Sequence, residues 1–338
     1  YLRTKTALLA GADLVLEIPA AFSTASAHEF AAYGVALLSA IGVDAVVFGS
    51  ECGQIEILKQ AAYALNHESA EFQERLRKGL KAGLTYPQAR AKALEMEDTR
   101  ASVLSSPNNI LGIEYLRAAE DLHSPMEFYT ISRKGSGYHE DTLADANFPS
   151  ASAIRGIIRN SLSKDKDLLD ILASHLPAVT HPAYTGAVPV FVDDFSELLN
   201  AAVLQMQATF SIADLSPELA ARLAKPPYFP LSFEERIQAL KTRQLTYTRV
   251  SRALLHLVLG MREEDISRWK DEGYALYARI LGFRRQSSPL LSCLHKKSSI
   301  PLITKMADAA QNLSPSALAL LEQEVYASHL YQTVRMKR

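Results

Sequence analysis

Two unbroken apolar runs separated by one helical stretch constrain this chain more than any other feature. Asp13-Leu14-Val15-Leu16-Glu17-Ile18 reads as a short buried strand stopped by Pro19. From Ser26 to Ile41, residues Phe30, Tyr33, Gly34, Leu37, Leu38 and Ile41 share one face at helical spacing. Ala45-Val46-Val47-Phe48 is a second apolar strand and leads into Gly49-Ser50-Glu51. Strand, helix, strand at this spacing is a βαβ unit, which implies a parallel sheet and a right-handed crossover. Such sheets bind ligands beyond the carboxyl ends of their strands. Gly49 stands at one of those ends, where a ring or ribose can approach the backbone; a plain turn glycine is the alternative.

Further residues point to the same rim. The region from Ile55 to Met96 is mostly helical and charged, broken by Gly79, Gly83 and Pro87, and reads as an insertion between strands. Ser105-Ser106-Pro107-Asn108-Asn109 precedes an amphipathic helix carrying Ile110, Ile113, Leu116 and Arg117. Pro107 steers Ser106 away from helix, and an Asn can cap the first turn. Capping explains one Asn; a second adjacent one also offers donors and acceptors to a nucleotide. Met126-Glu127-Phe128-Tyr129-Thr130-Ile131 is the next strand, and it delivers Arg133. A polar loop with Gly135, Gly137 and His139 follows, then Ser150-Ala151-Ser152-Ala153-Ile154-Arg155 opens a helix. Small hydroxyl residues at a helix start leave N–H groups facing an anion, and Arg155, one turn on, reaches the same anion. An ordinary N-cap with a solvated Arg155 is the competing interpretation.

Composition enters where the second half is concerned. With 338 residues there is room for two cores, and we place a boundary near residue 165, giving an α/β domain over 1–165 and a helical domain over 166–338. His181-Pro182-Ala183-Tyr184 and Pro189 mark an extended linker, Phe195–Phe210 a helix, and Ser232 with Glu234 and Glu235 another helix start. Between Lys225 and Lys305 stand fifteen Lys or Arg against seven Asp or Glu, although the whole chain carries a net charge of only −1. A basic half joined to an acidic half suits a polyanionic partner. Lys241, Arg243, Tyr247, Arg249 and Arg252 interleave cations with an aromatic, as phosphate pairing and base stacking require, and Arg284, Arg285, Lys296 and Lys297 form a second cluster. Amphipathic packing with Arg on the wet side remains the alternative, and Trp269 reads as a core or interface anchor. Cys52 and Cys293 make no metal or disulfide pattern, no run spans a membrane and no signal peptide is visible, which fits a reducing cytoplasm. The chain opens on Tyr1 within a helix-like run, so an upstream piece is expected.

Leu14–Pro19, Phe48-Gly49-Ser50-Glu51, Ser106-Pro107-Asn108-Asn109-Ile110-Leu111-Gly112, Gly137-Tyr138-His139, Ser152-Ala153-Ile154-Arg155, Tyr247-Thr248-Arg249 and Lys297-Ser298-Ser299-Ile300-Pro301 together resemble the tRNA(Met) cytidine acetate ligase family. That resemblance implies a Rossmann-like nucleotidyltransferase domain followed by an all-α domain that binds tRNA. It implies ATP as substrate, with Mg²⁺ held mostly by phosphate and water. Acetate becomes acetyl-adenylate, and the acetyl group passes to N4 of the wobble cytidine of elongator tRNA(Met). By the same resemblance Gly49, one of Asn108 and Asn109, and Arg133 match ATP-contacting positions, and Ser152 and Arg155 match the superfamily's phosphate turn. Arg155 is the one candidate for the chemistry itself, and His139 is left open between a direct role and a capping one. Arg243, Arg249, Arg252, Lys296 and Lys297 are the residues expected on tRNA.

The superfamily's His-x-Gly-His element does not occur in this sequence. Two rival readings follow, a small-molecule adenylyltransferase and a catalytically silent RNA-binding module. Since the two histidines of that element steady pyrophosphate departure, residues 1–338 alone are expected not to form acetyl-adenylate. Acetate-dependent ATP–pyrophosphate exchange measures this, and robust exchange by residues 1–338 would overturn it.

Overall fold

A computed structural model describes residues 1–94, 102–133, 151–161, 168–206, 211–225 and 229–337. Strand β1 is Leu14–Leu16, β2 Ala45–Ser50, β3 Glu127–Ser132, β4 Ala278–Phe283 and β5 Leu302–Ile303. Strands β2 and β3 are parallel, in register from Ala45 opposite Glu127 to Ser50 opposite Ser132. A parallel pair needs a long crossover. Here it contains the helices Ile55–Asn66, Ala70–Lys81 and Tyr86–Leu94, within the charged insertion expected over Ile55–Met96, and then the amphipathic helix Pro107–Asp121.

The expected pairing of β1 with β2 is not what forms. β1 lies antiparallel against β4, with a register irregularity between Val15 and Leu16, and β4 lies parallel to β5. An apolar run announces a strand, whereas its partner depends on what the distant chain offers. Arg279 of β4 donates to both carboxylate oxygens of Glu17, at 2.8 and 3.1 Å, and the Glu17 N–H reaches the Arg279 carbonyl at 3.0 Å. Burial raises the Glu17 pKa above its ordinary value despite that guanidinium. Ala278–Phe283 and Leu302–Ile303 also interrupt a stretch read as helical to its end.

The chain divides into two contact units. One comprises residues 1–17, 27–187 and 277–306, and the other 18–26, 188–276 and 307–338. The units are interleaved in sequence.

In the first unit the Pro107–Asp121 helix packs against the Ala27–Ala40 and Ile55–Asn66 helices and against β2. Gly112 makes the last contact possible, because a Cβ there would lie 2.3 Å from Phe48 Cε2. The Phe48 ring meets Tyr115 edge-on at 5.6 Å between centroids. The Lys297–Pro301 segment closes the other end of the Ala27–Ala40 helix. Ser299 N–H donates to the Ala40 carbonyl at 2.8 Å, and the Lys297 stem lies over Gly42, whose φ of +75° is a glycine conformation.

The second unit is helical, built from Ser196–Gln205, Pro217–Leu223, Phe233–Leu240, Tyr247–Leu259, Glu263–Asp271 and Pro315–Met336 among others. Its core joins Leu199, Leu219, Phe233, Ile237, Val250 and Leu254. Ser232 and Glu235 form a reciprocal capping box, and Thr246 caps the helix that carries Arg249. Trp269 is buried and donates from Nε1 to the Ser316 carbonyl at 3.1 Å. Among the described residues, no helix is long and apolar enough to cross a membrane.

Two helical glycines should respond oppositely to alanine. Gly112→Ala should destabilise the protein by about 1–3 kcal/mol, because the methyl group overpacks against Phe48. Gly156, in the Ala151–Ser161 helix, has nothing within 4 Å of a built Cβ among the described residues. Gly156→Ala should therefore stabilise by about 0.5–1 kcal/mol. Denaturant unfolding of both variants is the check, and a stabilised Gly112→Ala would contradict the helix–strand packing.

Candidate functional site

The carboxyl ends of β2 and β3 bring several expected residues together. Ser50, fully buried, shares a hydrogen bond with the Thr130 hydroxyl at 2.7 Å and accepts from Gly53 N–H at 3.0 Å. The Arg133 N–H continues the ladder to the Ser50 carbonyl at 2.9 Å. A Cβ on Gly49 would lie 3.3 Å from Arg133 Cγ, so the Arg133 stem runs over the glycine face. The Arg133 side chain itself is exposed. Gly53 turns the loop at φ +62°, where a Cβ would strike Ser132 at 2.6 Å. At this rim the Arg133 stem lies over Gly49 and presents an exposed cation.

Asn108 and Asn109 lie at the same rim, at the start of the Pro107–Asp121 helix. Ser106, at the N-cap position, makes no side-chain cap bond. The capping groups come instead from Glu51. Its carboxylate accepts Asn109 N–H at 2.8 Å, Asn108 N–H at 3.3 Å and the Asn108 side-chain amide at 2.6 Å. The Asn109 side chain, also buried, turns back to accept Cys52 N–H at 3.1 Å. The adjacent asparagines thus act as a clamp on the Glu51–Gly53 loop. Burial alone would raise the Glu51 pKa, but the Asn108 and Asn109 donors outweigh it and hold the carboxylate below its ordinary 4.5. Glu51 was not among the residues singled out from sequence. The only signal was its place after Gly49, since its partners lie 57 and 58 positions away.

A second carboxylate anchors the same helix. Glu114 is buried and takes Arg117 at 2.7 Å, His28 Nδ1 at 3.1 Å and Arg90 at 3.3 Å. Arg117 continues to Asn66 at 2.8 Å. Burial would raise the Glu114 pKa, but the His28 bond and the two arginines bring it below the ordinary value, while the bond to Glu114 raises that of His28.

Other expected residues fall elsewhere. Arg155 is exposed on the Ala151–Ser161 helix, which packs against the Leu168–Leu172 helix through its buried face at Ala153. The loop with Gly135, Gly137 and His139, Ser150 and the Ser152 side chain lie outside the described residues. Arg243 and Arg249 are exposed on the helical unit. Arg252 differs, being half-buried in a two-point contact with Asp214 at 3.0 and 3.2 Å. Lys296 and Lys297 belong to the α/β unit, and Lys297 Nζ lies 3.4 Å from Asp44. The five cations are thus divided between two units, and two of them have acidic partners. Among the described residues, no group of three or more His, Cys, Asp or Glu side chains could hold a metal ion.

Comparison with known proteins gives one consistent match. A family model for HIGH nucleotidyl transferases matches residues 1–338. The tRNA(Met) cytidine acetate ligase of Acetivibrio thermocellus is 36% identical, over 98% of this chain and 82% of its own length. The protein of the same name from Clostridium novyi is also 36% identical, over 90% of this chain and 77% of its own. The crystal structure of Thermotoga maritima TmcAL bound with alpha-thio ATP superposes with a TM-score of 0.83 at 27% identity, covering 98% of this chain and 82% of that one.

The Glu51 clamp predicts a pH signature. A carboxylate whose folded pKa lies below its unfolded value contributes stability above the unfolded value, and that stability is lost as pH falls through the folded one. Glu51→Gln should lower the thermal midpoint at pH 7 and reduce the difference between midpoints at pH 7 and pH 3. An unchanged pH profile would show that the carboxylate does not hold the helix.

Proposed function

The chain belongs to the HIGH nucleotidyltransferase family of the tRNA(Met) cytidine acetate ligases, and on that premise we propose that it is an ATP-dependent ligase acetylating the wobble cytidine of elongator tRNA(Met). An acetate oxygen attacks the α-phosphorus of ATP, pyrophosphate leaves, and acetyl-adenylate forms. The N4 amine of cytidine then attacks the acetyl carbon, AMP leaves, and the amine loses a proton. The observation that carries this reading is the Gly49–Arg133 contact at the ends of two parallel strands, in a chain of this family. The missing side chain of Gly49 lets the Arg133 stem lie close against the strand end, and the exposed Arg133 offers a planar fork of donors there.

Phosphate placement follows from what is already taken. The N-terminus of the Pro107–Asp121 helix is filled by Glu51. Of the two helix starts that carry candidate residues, the Ala151–Ser161 helix is left for the triphosphate, with Ser152 and Arg155 as its donors. Asn108 and Asn109 support ATP binding by fixing the Glu51–Gly53 loop. Mg²⁺ would neutralise phosphate charge, held by phosphate oxygens and water, since the described residues offer no carboxylate cage. On the helical unit, exposed Arg243 and Arg249 face tRNA phosphate, and Lys296 offers a further cation on the α/β unit. Lys297 and Arg252 contribute less to RNA, being engaged with Asp44 and Asp214.

The test uses labelled acetate, ATP and total tRNA with the full-length product of the gene. Label on cytidine of one tRNA supports the reading. Label on a small molecule favours the adenylyltransferase, and tRNA binding without transfer favours the silent module. Arg133→Ala and Arg155→Ala should each weaken ATP use about ten- to a hundredfold, the range for a lost charge-assisted hydrogen bond, with an unchanged unfolding midpoint.

The cations on the helical unit should separate by salt dependence. Arg249→Ala should lower tRNA affinity and reduce the slope of log affinity against log salt by roughly one. Arg252→Ala should instead lower stability, because Asp214 loses its two-point contact and keeps only His256, at 3.4 Å, as an ion-pair partner among the described residues. An Arg249→Ala protein with an unchanged salt slope would remove Arg249 from the tRNA surface.

A further inference from the structure

The helical unit contains a cavity of about 300 Å³, far in sequence from the residues assigned above to ATP, lined by Arg222, Leu223, Lys225, Phe229, Leu231, Arg236, Ala239 and Leu240. Three features give it a chemical character. Among the described residues, its three ionisable lining side chains are all cationic and no carboxylate lines it. Phe229 stands 66% exposed at its wall and offers an aromatic face to a flat ring. Arg236 is held from behind, its terminal nitrogen donating to the Asn200 side chain at 2.5 Å and to the Phe229 carbonyl at 3.2 Å. Asn200 also fixes Leu231 through both backbone groups, at 2.8 and 3.3 Å.

The wall is therefore braced before any ligand arrives. Arg236 Nε is buried and has no hydrogen-bond partner among the described residues. Burial lowers the Arg236 pKa, and no described side chain supplies a counter-charge. An anion in the cavity would supply one. An exposed aromatic beside converging cations is the chemistry of a nucleotide, with the base on the ring and the phosphate on the cations. The volume is at the small end of ligand pockets. The mouth is bordered by exposed Lys225 and Phe229, and the chain leaves the cavity at Leu240 into exposed Lys241 and Arg243. A nucleotide still joined to its neighbours needs such an open mouth, with cations beyond it for the flanking phosphates.

We propose that this cavity receives one unpaired nucleotide of the RNA substrate, its base stacked on Phe229 and its phosphate held by Arg222, Lys225 and Arg236. The proposal rests on the reading that the substrate is RNA, and adds a place where a base outside any stem is gripped.

The experiment measures binding of a fluorescent RNA hairpin with an unpaired loop, and of a fully paired duplex of equal length, to the full-length protein. Phe229→Ala should weaken hairpin binding about tenfold, within the range for one lost base–aromatic stack, and leave duplex binding unchanged. Phe229→Trp should restore it. Lys225→Gln should reduce the hairpin's salt slope by roughly one. Both side chains are exposed, and unfolding midpoints confirm that the variants fold. Hairpin affinity unaffected by Phe229→Ala overturns the proposal. So does saturable binding of free cytidine monophosphate or inorganic phosphate that is lost in Phe229→Ala or Lys225→Gln while hairpin affinity stays the same. Acetyl transfer to tRNA is assayed in parallel. Transfer that persists with Phe229-independent RNA binding sinks the pocket alone. Phe229-dependent hairpin binding without transfer upholds the pocket and sinks the ligase reading.

Discussion

The α/β unit depends on one carboxylate placed at one helix start. Glu51 leaves the end of β2 and lands on the first N–H groups of the Pro107–Asp121 helix, where the positive end of the helix dipole favours a negative charge. The helix cannot slide along β2 while that contact holds, because Gly112 has to meet Phe48 at the same time. Farther along the same helix, Glu114 takes its three cationic partners from three helices, including its own. One acid fixes the helix end against the sheet, and the other fixes the helix body against its neighbours. A buried carboxylate is tolerable only with such partners, and each acid here has several.

That arrangement decides what the rim can bind. A helix start that already holds a carboxylate is closed to phosphate. The Glu51–Gly53 loop is clamped by Asn109 below and by the Ser50–Thr130 hydroxyl pair behind. What stays exposed is the Arg133 side chain, its stem resting over Gly49. A braced floor with one exposed cation suits a substrate that must be oriented rather than chemically assisted, as in adenylyl transfer.

The elements of this fold were legible in sequence to unequal degrees. Apolar runs and helical spacing announced β2, β3 and the helices around them, because burial of one face is written into local periodicity. The partner of β1 was not legible. A three-residue strand carries no register information, and the pairing is settled by the Glu17–Arg279 contact 262 residues apart. Strand β4 was missed within a region read as helical. The Asn108–Asn109 pair was visible as chemistry, but its use in holding the loop depends on Glu51 and Cys52, which only the folded chain brings near. The Ser106–Gly112 motif is now explicable, since it joins the helix start, the loop clamp and the one residue small enough to pack on Phe48.

Charge was the least faithful of the sequence signals, for a physical reason. The fifteen cations between Lys225 and Lys305 imply a continuous basic surface only if they are free and together. Arg252 is committed to Asp214, Arg268 to Asp265, Arg279 to Glu17, Arg284 to Asp13 and Lys297 to Asp44. Residues 277–306 also belong to a different unit from the rest. The distant field that draws a polyanion toward the protein still counts every net charge. Contact is more selective, because a phosphate displaces counter-ions only where a cation is not already neutralised at close range. Counting charge along a chain therefore estimates attraction better than it locates a binding surface. Five of the cations with no acidic partner among the described residues, Arg222, Lys225, Arg236, Lys241 and Arg243, lie close in sequence where a cavity and an exposed phenyl ring give an RNA strand something besides charge to hold.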